Sequence, residues 1–147
     1  MTDRVTQGFI AGFLGAIVAV AVTFGARALG FNTILWADFM SVFIMGKKAD
    51  GALELVIFVA VQFVFLGFLG VIFSMLLPRI KSKYILFKGA LYGVVIWFIL
   101  FSLPHLLRLP FFKEVPLKTV LTHGIGAFLW GLGTAFILNK ISMRVAQ

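Results

Sequence analysis

LELVIFVAVQFVFLGFLGVIFSMLL, the stretch from Leu53 to Leu77, contains one charged residue, Glu54, and one amide, Gln62. A hydrocarbon core about 30 Å thick is crossed by about 20 apolar residues in a helix. Inside that core every backbone N–H and C=O must bond within the protein, which leaves helices or closed barrels. Barrel strands alternate apolar and polar positions over about ten residues, and this run does not alternate. It reads as a transmembrane helix, and three further runs read the same way. The spans cover about 5–28, 53–77, 85–103 and 117–138. The fold class is an all-α membrane protein, with four transmembrane helices in a compact bundle forming one domain over residues 1–147.

Composition agrees with that reading. Hydrophobic residues make up 62% of the 147, and the mean hydropathy is +1.12. Little chain remains for a soluble domain, so any function is built from helices and loops. The absence of cysteine removes disulfides, thiolate metal sites and cysteine nucleophiles. A net charge of +8 suggests nucleic acid in a soluble protein. Here the cations sit at helix ends, where they set topology and meet anionic head groups; no nucleic-acid partner is expected. Ala26-Arg27-Ala28 imitates a signal-peptidase site, but the preceding apolar stretch exceeds the 7–15 residues of a signal core. The first span is read as retained.

Four spans bring both termini to one side. That side carries Arg4, Arg79, Lys81, Lys83, Lys88, Lys140 and Arg144, against Arg27, Lys47, Lys48, Arg108, Lys113 and Lys118 on the other. Seven against six is nearly balanced, so the density of charge decides. The turn Pro78–Lys83 holds three cations and no acid, which places both termini in the cytoplasm. Cysteines at Ser82 and Ser102 are accordingly expected to react with a membrane-impermeant maleimide from opposite sides. Labelling of Ser82→Cys from outside intact cells would invert this topology.

The two outer loops, about 32–45 and 104–112, are too short to span and too apolar for water, so they are expected as interfacial or re-entrant segments. Asn32 or Thr33 is a candidate cap for the first, Gly46 its terminator, and Trp36 suits the head-group boundary. The prolines at 104 and 110 argue against continuous helix through the second. Gly8 and Gly12 recur as Gly89 and Gly93, and Arg27-x-x-x-Phe31 as Arg108-x-x-x-Phe112, all offset by 81 residues. This suggests two parallel repeats, each of helix, outer segment and helix.

Lipid gives apolar side chains nothing to escape from, so membrane helices associate through small residues that let backbones approach. In span one Gly8, Gly12, Gly15, Ala19 and Ala26 share a stripe, with Phe13, Ile17, Val20 and Phe24 opposite. Span two has a looser stripe of Ala60, Gly67 and Ser74, and span three has Gly89 and Gly93. Span four has two opposed faces, Gly124, Gly131 and Ala135 against Thr122, Gly126 and Gly133. That marks it as the bundle centre or as a contact with another subunit.

Ionisable groups within a membrane are functional candidates by default, because they are expensive there. Gln62 lies near mid-membrane, facing away from its helix's small-residue stripe. Asp38 is expected on a solvated polar face or paired with Arg27. His105, His123 and nearby Thr122 complete the candidate polar site. A transmembrane haem needs two imidazoles facing one another at equal depth, and a metal needs further ligands at recognisable spacing; the sequence supplies neither pattern, so no cofactor, metal or catalytic residue is assigned. Gly124-x-Gly126 and Gly131-x-Gly133 follow no strand and are no nucleotide fingerprint.

The string from Lys88 through Gly89, Tyr92 and Gly93 to Trp97, followed by Phe101-Ser102-Leu103-Pro104, by Thr119 and Thr122, and by Leu129-Trp130-Gly131, resembles the YqhR-like bacterial membrane proteins. The likeness covers residues 88–134. It implies four spans and a bacterial plasma membrane, and no activity. The expected function is non-enzymatic: a structural or accessory subunit packing through its glycine faces as a homo-oligomer or within a larger membrane complex. A small oligomeric transporter or channel is the alternative, ahead of a haem or metal carrier.

Overall fold

The computed structural model describes residues 3–31, 34–80 and 83–145, with backbone alone for 143–145. Five α-helices follow in order: α1 (Arg4–Ala28), α2 (Trp36–Met45), α3 (Gly51–Leu76), α4 (Ile85–Leu106) and α5 (Leu117–Val145). Single 3-10 turns follow α3 and precede α5. Four helices are long and apolar enough to cross a membrane. Asn32 and Thr33, together with Lys81 and Ser82, lie outside the described residues, as does the side chain of Arg144.

Local chemistry sets the helix ends. Asp3 caps α1, its carboxylate accepting from the Val5 and Thr6 amides at 3.1 Å. Gly46 ends α2 with φ of 74°, the left-handed geometry that glycine adopts without strain. The second span starts at Gly51, two residues before the expected boundary. Glu54, at the second-span start, reaches back to accept from the Asp50 amide at 2.7 Å and pairs with Lys47 at 3.4 Å. Helix α4 runs three residues past the expected end at Leu103, with Pro104 inside it. A proline near a helix terminus removes only one late bond, and the end closes through Leu109 N donating to Pro104 O at 3.0 Å. Arg108 supplies the left-handed turn residue there, with φ of 51°.

Helices α1 and α3, α1 and α5, and α4 and α5 pack backbone to backbone. A Cβ on Gly8 or Gly12 would strike the backbone of Gly70, Val71 or Leu66 on α3. One on Gly89 or Gly93 would strike the carbonyls of Gly131 and Ala127 on α5. Gly15 lies on Thr134, which joins α1 to α5. The two opposed faces of α5 are thus both occupied within the chain. Gly131 and Ala135 meet α4, Gly124 meets the Trp97 ring, and Gly126 and Gly133 meet Ala19 and Gly15 of α1. Helices α1 and α5 share the centre, α1 packing on α3 and α5 and α5 on α1 and α4, and no glycine face remains on α5 to carry a contact with another subunit.

Span two packs differently from expectation. Ala60 is exposed, while Gly67 and Ser74 are buried. Gly67 lies against the Phe9 ring, and Gly70 makes the close approach to α1. The hairpins α1/α3 and α4/α5 share one contact pattern. Gly8 meets the Gly70 carbonyl and Gly12 that of Leu66, as Gly89 meets that of Gly131 and Gly93 that of Ala127. The first helices align at an offset of 81 residues and the second at 61. The first half thus carries 20 extra residues between these contacts, the region of α2. The proposed equivalence of Arg27 and Phe31 with Arg108 and Phe112 does not hold. Arg27 lies inside the last turn of α1, whereas Arg108 is past the end of α4; Phe31 is exposed and Phe112 is buried.

Candidate functional site

Helix α2 is not laid on the outside of the bundle. Residues 35–42 are all buried, and only its last turn is exposed. Trp36, expected at the head-group boundary, instead stacks on the His123 ring at 4.7 Å and meets Phe101 edge-on at 5.8 Å. Phe39 packs on Phe101 and Phe112, and Phe58 of α3 joins the same cluster. A short apolar helix reads alike in a protein interior and in the interface, and the groups that meet it here are buried and polar as well as aromatic.

Those polar groups hold α2 in place. His123, fully buried, has Nε2 2.8 Å from the Ile34 carbonyl. Because the carbonyl can only accept, Nε2 carries the proton. Asp38 is 1% exposed. Its Oδ2 accepts from the Leu35 amide at 2.8 Å and lies 3.8 Å from Lys48 Nζ. This replaces the expected solvated face or Arg27 pairing: the carboxylate caps its own helix start from inside the bundle. Ser41 Oγ donates to the Lys47 carbonyl at 2.6 Å, tying the far end. Together these bonds make α2 a plug in the mouth of the bundle.

Beneath the plug lies a small crevice. Its wall is Ala19 of α1, Trp36 and Met40 of α2, Gln62, Phe65 and Leu66 of α3, Ile96, Trp97 and Leu100 of α4, and Ala127 and Trp130 of α5. Its free volume of about 20 Å³ admits one water-sized group. Gln62 stands 11 residues into α3, about 16 Å from its start at 1.5 Å per residue, which is mid-membrane depth. The side chain is 3% exposed, and its Nε2 has no hydrogen-bond partner among the described residues. An amide N–H left unpaired in an apolar surround costs about 1–3 kcal/mol. The half-buried Phe65, Leu66, Ile96, Trp97 and Leu100 form the outward wall. They sit along the α3–α4 seam, the one seam between consecutive spans without close backbone packing.

The expected polar quartet is not brought together. His105 is exposed, with Nδ1 2.7 Å from the Phe101 carbonyl. Thr122 Oγ1 turns back to the Lys118 carbonyl at 2.8 Å. His123 belongs to the plug and Gln62 to the crevice. The two imidazoles do not face each other across a shared space, and among the described residues no group of three metal-ligating side chains converges. Thr134 is not marked by the sequence at all, and Thr119 and Trp36, conspicuous there, give no sign of being buried. A threonine or tryptophan in an apolar helix carries no marker separating interior from lipid-facing positions. Trp130, whose indole donates to the Gly12 carbonyl at 3.0 Å, was visible only as part of the Leu129–Gly131 step. The chain matches no protein-family model, no curated protein and no solved structure.

Proposed function

We propose that the protein is a non-enzymatic accessory subunit of a membrane complex, and that it meets its partner at the α3–α4 seam. The supporting observation is Gln62: a buried amide donor without a protein partner, at the back of a crevice whose outward wall is that seam. The complementary group is a hydrogen-bond acceptor on an apolar body, such as a carbonyl or amide of a neighbouring transmembrane helix. Glutamine in a bilayer serves this purpose, because hydrocarbon offers no competing water. The glycine faces that first suggested association are consumed inside the chain. The transporter or channel alternative needs a continuous polar stripe. Most buried polar side chains of the α2 end, Asp38, Ser41 and His123 among them, are engaged in seating α2.

A photo-crosslinking residue at Ile96, on the seam, is expected to yield a discrete protein adduct in native membranes. The same residue at Ile17, on the exposed face of α1, is expected to yield none. Gln62→Leu is expected to lower the Ile96 adduct roughly threefold to tenfold, the range for one interhelical amide bond. Equal patterns at Ile96 and Ile17, or an adduct insensitive to Gln62→Leu, would refute the reading.

A further inference from the structure

The α3–α4 seam holds a second groove, separate from the crevice and nearer the chain termini. It is lined by Phe73, Leu76, Ile80, Phe87, Lys88, Leu91, Tyr92 and Val95 and encloses about 270 Å³. Tyr92 lines its inner side, its phenol bridging the helices by donating to the Leu69 carbonyl at 2.8 Å. Its walls are apolar except at the mouth, where Lys88 stands. Lys88 Nζ donates to the Ile80 carbonyl at 2.7 Å, which uses one of three ammonium hydrogens. Arg79 and Lys83, both exposed, belong to the same short connection between α3 and α4, next to Ile80 and Lys88 in the chain. Among the described residues the one acid at this end is Asp3, which is engaged in capping α1. Four-tenths or more of each of Ile80, Phe87, Leu91 and Val95 is exposed, so the groove lies open along its length.

We propose that this groove is a binding site for one anionic phospholipid. The acyl chain lies between α3 and α4, and the phosphate rests on Lys88 with Arg79 and Lys83 around it. The argument is charge complementarity at a fixed depth. Any lipid satisfies the apolar walls, but a cation cluster without a local acid, placed where the groove meets the head-group layer, selects for a negative head group. Lys88 is also held in place by its bond to Ile80, so little side-chain freedom is lost on binding. This inference is independent of the partner proposed at Gln62, since the two spaces share no lining residue.

The test is native mass spectrometry of the intact protein. It is released from detergent containing equal amounts of phosphatidylglycerol and phosphatidylcholine with identical chains. The wild type is expected to retain one phosphatidylglycerol, favoured about fivefold or more, since a surface cation contributes a factor of that order. Lys88→Gln is expected to bring the ratio near parity, and Lys118→Gln, at the opposite end, to leave it unchanged. Leu91→Trp fills the groove without altering charge and is expected to lower retention of both lipids. If Lys88→Gln loses helicity by circular dichroism, the double variant Arg79→Gln, Lys83→Gln carries the charge test, since both side chains are exposed. Equal retention of the two lipids by the wild type overturns the proposal. So does a ratio unmoved by these charge changes, or a dimer whose formation displaces the lipid.

Discussion

Gly131→Leu is expected to prevent the bundle from forming. A Cβ at this position would fall on the carbonyl of Gly89 and within 3.1 Å of Gly93 Cα, all backbone of α4. A flexible side chain can swing away from an intruding methyl, but a helix backbone has to move as a body. Overpacking costs about 1–3 kcal/mol where neighbours can yield, and more where they cannot. The loss here is expected above about 3 kcal/mol, because separating α4 from α5 also opens the contacts of Gly89 and Ala135. Titration with a denaturing detergent, followed by tryptophan fluorescence, measures it: Trp130 lies beside this seam and should lose its buried environment. Gly25→Leu is the reference substitution. It lies in α1 with nothing within 4 Å of its Cβ, so the higher helix propensity of leucine should leave stability unchanged or raised. Gly133→Ala should also be tolerated, its Cβ meeting only Gly15 Cα at 3.7 Å. If Gly131→Leu instead gives folded monomers with a wild-type midpoint, the intramolecular packing of α5 described above is wrong.

That experiment also bears on what the sequence makes visible. Four spans are legible because continuous apolar runs in this chain have one physical solution. The glycines of α1, α4 and α5 are legible as contact faces, because only small residues allow the backbone approach on which membrane helices depend. Their partners are not legible. A flat face on α5 looks the same whether α1, α4 or a second copy covers it, and here α1 and α4 take both. In α3 a stripe drawn from Ala60 through Gly67 to Ser74 places Gly67 and Ser74 correctly against α1 but includes exposed Ala60 and misses Gly70, where the backbones come closest. The tighter spacing of Gly67, Gly70 and Ser74 carried the better signal. Helix α2 was the hardest to place. A mostly apolar helix of ten residues reads alike in an interface and in a protein interior, and the bond that decides between them joins Ile34 to His123, 89 positions away. The candidate site followed the same pattern: Gln62 stood out because an amide is rare in such a run, whereas Thr122 and His105 satisfied themselves on their own helices.

His123→Leu is expected to unseat α2 while leaving the four spans packed. Leucine occupies part of the imidazole volume but cannot donate to the Ile34 carbonyl, and it removes the stack on Trp36 at 4.7 Å. Loss of the histidine donor to this part-buried carbonyl costs up to about 1–3 kcal/mol, and the lost ring contact adds about 0.5–1.5 kcal/mol. The glycine seams lie deeper and share none of these atoms, so the penalty falls on the plug alone. Ala37 reports it, being fully buried in the seated helix and making no side-chain hydrogen bond. A cysteine at position 37 should react slowly with a membrane-permeant maleimide in an otherwise wild-type chain. With His123→Leu the rate should rise more than tenfold, since opening by a cooperative segment scales with the free energy holding it. His123→Gln, whose amide can donate to the same carbonyl, should recover much of the protection. Unchanged labelling in His123→Leu would mean that the aromatic cluster of Trp36, Phe39, Phe101 and Phe112 holds α2 without the histidine. Equal exposure in the glutamine and leucine variants would assign the seating to ring stacking and not to the hydrogen bond.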